Sequence, residues 1–247
     1  LTLNDPNNQN TLSENMIKQL DDHFQQGAND NNVKVIILSS TGSVFCAGHN
    51  LKDLNSRRSE PDKGKSYYEK IFKSCSILMM NMIKNPKPII AVIDGVATAS
   101  GCQLIASCDL AYSSNTAKFS TPGVNIGLFC SAPMVPLSRN VSKKAALEML
   151  LTGDLIDAKK ALQIGLINDV FNPNELMLKV LEVAKKISSK SMTTLKIGKK
   201  AFYKQKEMTL EEAYNYTSKI MIDNMLNSDS EEGINAFLEK RKPIWDN

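Results

Sequence analysis

Two runs of small residues are placed where main-chain groups could do chemistry. The first is Phe45-Cys46-Ala47-Gly48-His49-Asn50-Leu51-Lys52, a glycine-punctuated loop after an apolar run. The second is Asp94-Gly95-Val96-Ala97-Thr98-Ala99-Ser100-Gly101-Cys102-Gln103-Leu104, directly after the apolar residues 89–93. Residues as small as those from Ala97 to Gly101 let backbone come close to a ligand. Where such a run opens a helix, the first N–H groups lack carbonyl partners and the dipole is positive, which favours an anion. Taken alone, neither run separates that role from close packing.

The other reactive side chains add little. His23 and His49 are the only histidines, and no C-x-x-C pair occurs among Cys46, Cys75, Cys102, Cys108 and Cys130. No metal site is expected, and the odd number of cysteines inside apolar stretches reads as reduced core thiols. Cys130 and Ser131 are candidate nucleophiles without a sequence-local base, and core packing or helix capping competes for both. Asp5 and Asp53 read as turn and helix-end residues. The net charge of +4 suits a small anionic ligand and falls short of a nucleic-acid-binding stripe. No apolar run reaches the roughly 20 residues of a membrane span. Leu1 to Pro6 read as the end of a strand entering a turn, with neither signal nor transit peptide, so a preceding piece is expected to have been removed.

The elements that must position these runs follow from hydrophobic periodicity. Thr11 and Glu14 fit a capping box for a helix whose stripe is Leu12, Met16, Leu20 and Phe24. Buried strands are expected at 33–38 and 89–93, a long amphipathic helix at 65–84, a helix at 100–107, and short strands at 110–112 and around Phe119. This alternation argues for an α/β architecture with parallel strands. Beyond about Ser131 helices dominate: 143–151, 157–164, 173–188, 192–205, 209–226 and 230–240, interrupted by one strand at 166–171. The last three have no sheet to cover, so a partner subunit is the natural occupant of their apolar faces.

At these residues the chain resembles the crotonase (enoyl-CoA hydratase/isomerase) superfamily, along nearly its whole length. F-x-A-G-x-D-L-x-x-L matches Phe45 to Leu54, with Asn50 in place of the aspartate. N-G-x-A-x-G-G-G-x-E-L-A-x-x-C-D matches Asp94 to Asp109, and E-G-x-x-A-F-x-E-K-R-K-P matches Glu232 to Pro243. The resemblance implies a crotonase-like spiral of ββα turns over residues 1–190. A helical C-terminal trimerisation region over 191–247 follows, in a homotrimer or a hexamer of paired trimers. It implies acyl-coenzyme A as substrate or ligand, with no permanently bound cofactor. The N–H groups of Ala47 and Ser100 would form an oxyanion hole for the thioester. Ala47, Gly48, His49, Asn50, Leu51 and Lys52 would line the coenzyme A path, and Phe237 and Lys240 would reach a neighbour's nucleotide. The sequence variants at these motifs point to a mitochondrial member acting in lipid metabolism.

The pattern breaks where hydratases of the family carry two glutamates. The first position is Gln103 and the second is Gly123, in Thr121-Pro122-Gly123-Val124-Asn125. Neither residue can take up a proton, and each missing acid–base group is worth about 10²–10⁴ in rate. Conventional hydration and isomerisation are therefore disfavoured. Decarboxylase- or thioesterase-type chemistry through an enolate remains, as does a non-catalytic acyl-CoA-binding or regulatory role on the same fold. Gln103 and Asn125 could orient a substrate carboxylate or carbonyl. His49 could titrate near neutral pH or simply hydrogen-bond backbone. If the rest of the site is intact, restoring both glutamates should bring back crotonyl-CoA hydration.

Overall fold

Short β-branched runs alternate with amphipathic helices, and the computed structural model, which describes residues 1–246, lays those runs into two sheets. One sheet has the order β1 (Thr2–Leu3), β2 (Ile36–Ser40), β4 (Ile89–Ile93), β6 (Leu110–Ser114), β9 (Asp169–Phe171), all parallel. The other has β3 (Val44–Cys46), β5 (Val96–Thr98), β7 (Lys118–Ser120) and an antiparallel β8 (Ile156–Asp157). The pairs β2–β3, β4–β5 and β6–β7 thus step from the first sheet to the second, and helices return the chain after the first two: the ββα turns that the resemblance implies.

Every residue of β4 is buried, so it reads as a continuous apolar run with no alternation. On one side of its sheet lie α1 (Glu14–Asn29), α3 (Lys65–Lys84) and α4 (Ser100–Ser107). On the other, Leu176, Val180 and Ala184 of α8 (Pro173–Ser188) pack on Ile90, Val92 and Tyr112.

Three expectations about local structure need correction. Ser13, not Thr11, caps α1, its hydroxyl accepting the Met16 N–H at 3.2 Å. The chain at Thr11–Leu12 is held instead against the loop after β3, and the Thr11 hydroxyl is buried without a partner. The run 166–171 contributes only β9, because Leu166 and Ile167 are core residues outside the ladder. Finally, β3, β5, α2 (Leu51–Ser56) and α5 (Met134–Asn140) were not expected from periodicity. Three-residue strands and helices of two turns are too short for it to register.

The remaining helices are α6 (Lys143–Thr152), α7 (Ala158–Gln163), α9 (Met192–Gln205), α10 (Leu210–Met225) and α11 (Ser228–Leu238). A mostly buried hub fastens α9 to the core. Asp109 accepts from Lys199 Nζ at 2.6 Å, the Tyr203 hydroxyl at 3.0 Å and the Ile89 N–H at 2.7 Å. Lys199 also donates to the carbonyls of Met82 and Lys87. By contrast α10 buries no residue, and Leu210, Tyr214, Met221, Ile222, Leu226 and Phe237 are exposed. Trp245 folds back against Gly233 and donates to the Ser189 carbonyl. No helix among the described residues is long and apolar enough to cross a membrane.

Candidate active site

The parallel pairing of β3 with β5, with Cys46 opposite Ala97, makes the two small-residue runs leave their strands side by side. The Thr98 hydroxyl donates to the Ala47 carbonyl at 3.1 Å. Gly101 is required for the seating of α4: a β-carbon there would stand 2.1 Å from the Cys46 carbonyl oxygen. Gly48 has φ +88°, and its β-carbon would lie 3.0 Å from Ala99 Cβ and 3.1 Å from the Ser100 nitrogen. Ala99 itself is held at φ 49°, ψ −115°, a conformation that a side-chain-bearing residue adopts only at a cost of roughly 1–3 kcal/mol.

The hydrogen bonds identify which N–H groups are free. Ser100 opens α4, and its N–H has no partner among the described residues. Ala47 is otherwise engaged: its N–H donates to the Gln9 carbonyl at 3.1 Å, which removes it as the expected second donor. The Gly48 N–H is directed to the Cys46 sulfur. The next N–H, that of His49, has no hydrogen bond among the described residues. His49 and Ser100, with Gly48 wedged between them, are therefore two of the N–H groups on these runs that have no partner among the described residues.

Residues 9–12 hold this loop in place. The Leu12 N–H donates to the Gly48 carbonyl at 2.7 Å, and the Leu12 carbonyl lies 3.1 Å from His49 Nδ1. A carbonyl only accepts, so Nδ1 carries the proton and Nε2 keeps a lone pair. Burial pushes the imidazole below its ordinary value of 6.5, and the ring is neutral at physiological pH. Buried Asn10 completes the brace by donating to the carbonyls of Thr41 and Val44.

One face of α3 forms the adjoining wall. Phe72 meets the His49 ring edge-on at 5.2 Å, and Tyr68 lies 6.4 Å from Phe72. The Tyr68 hydroxyl donates to the Leu54 carbonyl and so fixes α2. One turn along α3, Cys75 Sγ lies 4.0 Å from the Oε1 of buried Gln103, which has no other side-chain hydrogen bond among the described residues. Asn50 caps α2 through the N–H groups of Lys52 and Asp53, while Leu51 and Lys52 are exposed on its first turn.

Position 123 is closed. A β-carbon on Gly123 would stand 2.9 Å from the Leu128 carbonyl oxygen and 3.0 Å from Cys130 Sγ. Asn125 is exposed, its carboxamide against Gly153, and no hydrogen bond ties it to His49, Ser100 or Gln103. Phe237 and Lys240 lie on and just past α11, with no hydrogen bond or ring contact to the junction. All five cysteines are buried and unpaired. Burial pushes the thiols of Cys46, Cys75 and Cys102 up to about 12 and raises that of Cys130, so none is a ready nucleophile. The Ser131 hydroxyl is directed to the Phe129 carbonyl. Among the described residues no three metal-ligating side chains converge.

Sequence reasoning overlooked Gln9 and Leu12 as braces of the site, and it weighed Cys130 only as a nucleophile. The first two act through main-chain atoms, which leave no side-chain signature. Cys130 matters only because the turn after Gly123 folds back on it.

The sequence model of the family described as Enoyl-CoA hydratase/isomerase matches residues 1–247, and the chain belongs to that family. Human enoyl-CoA hydratase domain-containing protein 3, mitochondrial, is 45% identical over 245 residues, which is 99% of this chain and 79% of that protein. The mitochondrial enoyl-CoA hydratase of Pongo abelii is 32% identical over 98% of this chain and 81% of its own length. The crystal structure of the human domain-containing protein 3 superposes with a TM-score of 0.94 at 46% identity, over 99% of this chain and 94% of that one. An enoyl-CoA hydratase from Mycobacterium smegmatis gives 0.93 at 43%, over 100% and 94%.

Proposed function

We propose that this chain binds an acyl-coenzyme A thioester with its carbonyl oxygen between the N–H groups of His49 and Ser100. One observation carries the reading: two unpaired N–H groups lie on loops in direct backbone contact, one of them at the positive end of α4. Loss of a proton, or of carbon dioxide, from the carbon beside a thioester puts negative charge on that oxygen. A fixed donor aimed at that charge is worth about 10²–10³ in rate.

Gln103 and Gly123 occupy the places of the family's two glutamates on this reading, so water addition lacks its acid and base. Decarboxylation of a malonyl-type thioester, or thioester hydrolysis, fits better, with the Gln103 carboxamide, whose oxygen accepts from the Cys75 thiol, orienting the leaving carboxylate or the acyl group. The setting is mitochondrial lipid metabolism, as the names of the mitochondrial relatives support. Residues 47–52 line the coenzyme A path. The exposed apolar faces of α10 and α11 close against neighbours in a homotrimer, where Phe237 and Lys240 reach the next subunit's nucleotide.

A second reading, an acyl-CoA-binding protein without turnover, is favoured by the Cys130 sulfur standing where a side chain at 123 would project. An acyl-CoA panel that includes malonyl-type thioesters, assayed for turnover and by calorimetry, separates the two. Turnover supports the enzyme, and binding alone supports the second reading. Absence of both rejects the thioester site.

A further inference from the structure

With neither family glutamate in place, proton transfer at the site needs another group, and the α3 wall narrows the choice. Phe72 and Cys75 are three residues apart on α3, about 4.5 Å along the axis. The His49 ring sits on the first and the Gln103 carboxamide on the second. An acyl chain whose carbonyl rests on the His49 and Ser100 N–H groups therefore runs along a wall that offers these two side chains. Gln103 is an amide and accepts no proton at neutral pH. The thiol of Cys75 stays protonated.

We propose that His49 is the catalytic base, taking a proton through Nε2 from the carbon next to the thioester carbonyl. The proposal rests on the thioester reading above. The Leu12 carbonyl commits Nδ1 to donating, so Nε2 is the nitrogen with the lone pair, and the ring's hydrogen bond among the described residues is the one on Nδ1. The same bond fixes the ring, so a single residue supplies a main-chain donor for the oxygen and a side-chain base for the neighbouring carbon. In the step, the Cα–H bond breaks and its electron pair moves into the enolate, with negative charge on the thioester oxygen. The proton goes to Nε2 to give the imidazolium. Return of a solvent-derived proton from Nε2 to Cα regenerates the acyl-CoA, so nothing is oxidised or reduced.

The test follows Cα hydrogen–deuterium exchange of butyryl-CoA in D₂O by mass spectrometry, using the full chain, with calorimetry of the same ligand. His49→Asn keeps the backbone N–H and a side-chain donor for the Leu12 carbonyl but removes the Nε2 lone pair. The expected result is exchange catalysed by the wild type and slowed by about 10²-fold or more in H49N, with affinity changed less than threefold. Equal exchange by both proteins overturns the assignment of His49 while leaving the thioester site intact. Binding without exchange by the wild type also overturns it, and absence of binding rejects the underlying site. Should H49N fail to fold, ¹⁵N NMR of the wild-type histidines, assigned with His23→Gln, decides. A proton resident on Nε2 of His49 overturns the proposal, and a bare Nε2 that is perturbed by butyryl-CoA supports it.

Discussion

The Cys130 sulfur stands 3.0 Å from where a β-carbon on Gly123 would be, and the Leu128 carbonyl oxygen is nearer still, at 2.9 Å. The side-chain space at position 123 is filled by the chain's own turn. Gly123→Ala is therefore expected to cost about 1–3 kcal/mol of stability by overpacking, measured by urea denaturation. Gln103→Glu combined with Gly123→Glu is expected to give no crotonyl-CoA hydration, contrary to what the motifs alone suggest. Restored hydration would show that the turn yields.

Gly48 and Gly127 both have positive φ but differ in their surroundings. Gly127 has nothing within 4 Å of its missing β-carbon, whereas Gly48 faces Ala99, the Ser100 nitrogen and the Thr98 carbonyl at 3.0–3.2 Å. Gly127→Ala should cost only the backbone strain, about 1 kcal/mol. Gly48→Ala should cost more in the same denaturation assay and weaken acyl-CoA binding tenfold or more by calorimetry. Equal effects of the two variants would mean that the gap between the loops is not where the thioester sits.

The Asp109 hub makes α9 a test of buried charge. Lys199→Met leaves the carboxylate largely buried without its cation, and breaking such a pair costs about 3–5 kcal/mol. Tyr203→Phe removes one hydrogen bond to the same carboxylate, and the expected loss is about 1.5–3 kcal/mol. Chemical denaturation of the two variants should rank them in that order.

The C-terminal tail carries an acid-sensitive clasp. Glu232 accepts from Arg241 Nη1 at 2.6 Å, from Nη2 at 2.8 Å and from the Ile244 N–H at 2.7 Å, which pulls its carboxyl down to about 2. The folded value lies below the ordinary 4.5, so the clasp's contribution is fully present above that value and fades as pH falls toward 2. Trp245, the only tryptophan, reports on it. Its emission should shift to the red across that window, and Glu232→Gln should produce part of the shift already at neutral pH. An unchanged emission in E232Q would show that the tail is held by its other contacts, such as the Asp246 N–H to Asp229.

The sequence made one layer of this molecule readable and concealed another. The long helix Lys65–Lys84 and the strand Ile89–Ile93 have the boundaries that periodicity and the flanking prolines predict, because burial alone sets them. Strand β3 was hidden inside what looked like a loop, since three residues carry no period. At the site, the small residues Gly48, Ser100 and Gly101 advertised a close backbone approach, and the structure provides it. The choice of donor was not legible. Whether the N–H of Ala47 or of His49 is free depends on the Gln9 carbonyl, and a carbonyl is the same in every residue.

The two free donors of His49 and Ser100 belong to the main chain, and that governs how such a site ages. A glutamate can vanish by a single nucleotide change in its codon. No codon encodes the absence of an amide hydrogen except those for proline. A chain can therefore lose acidic side chains and still keep such main-chain donors. What persists is a pair of fixed N–H groups, available for whatever chemistry the neighbouring side chains acquire.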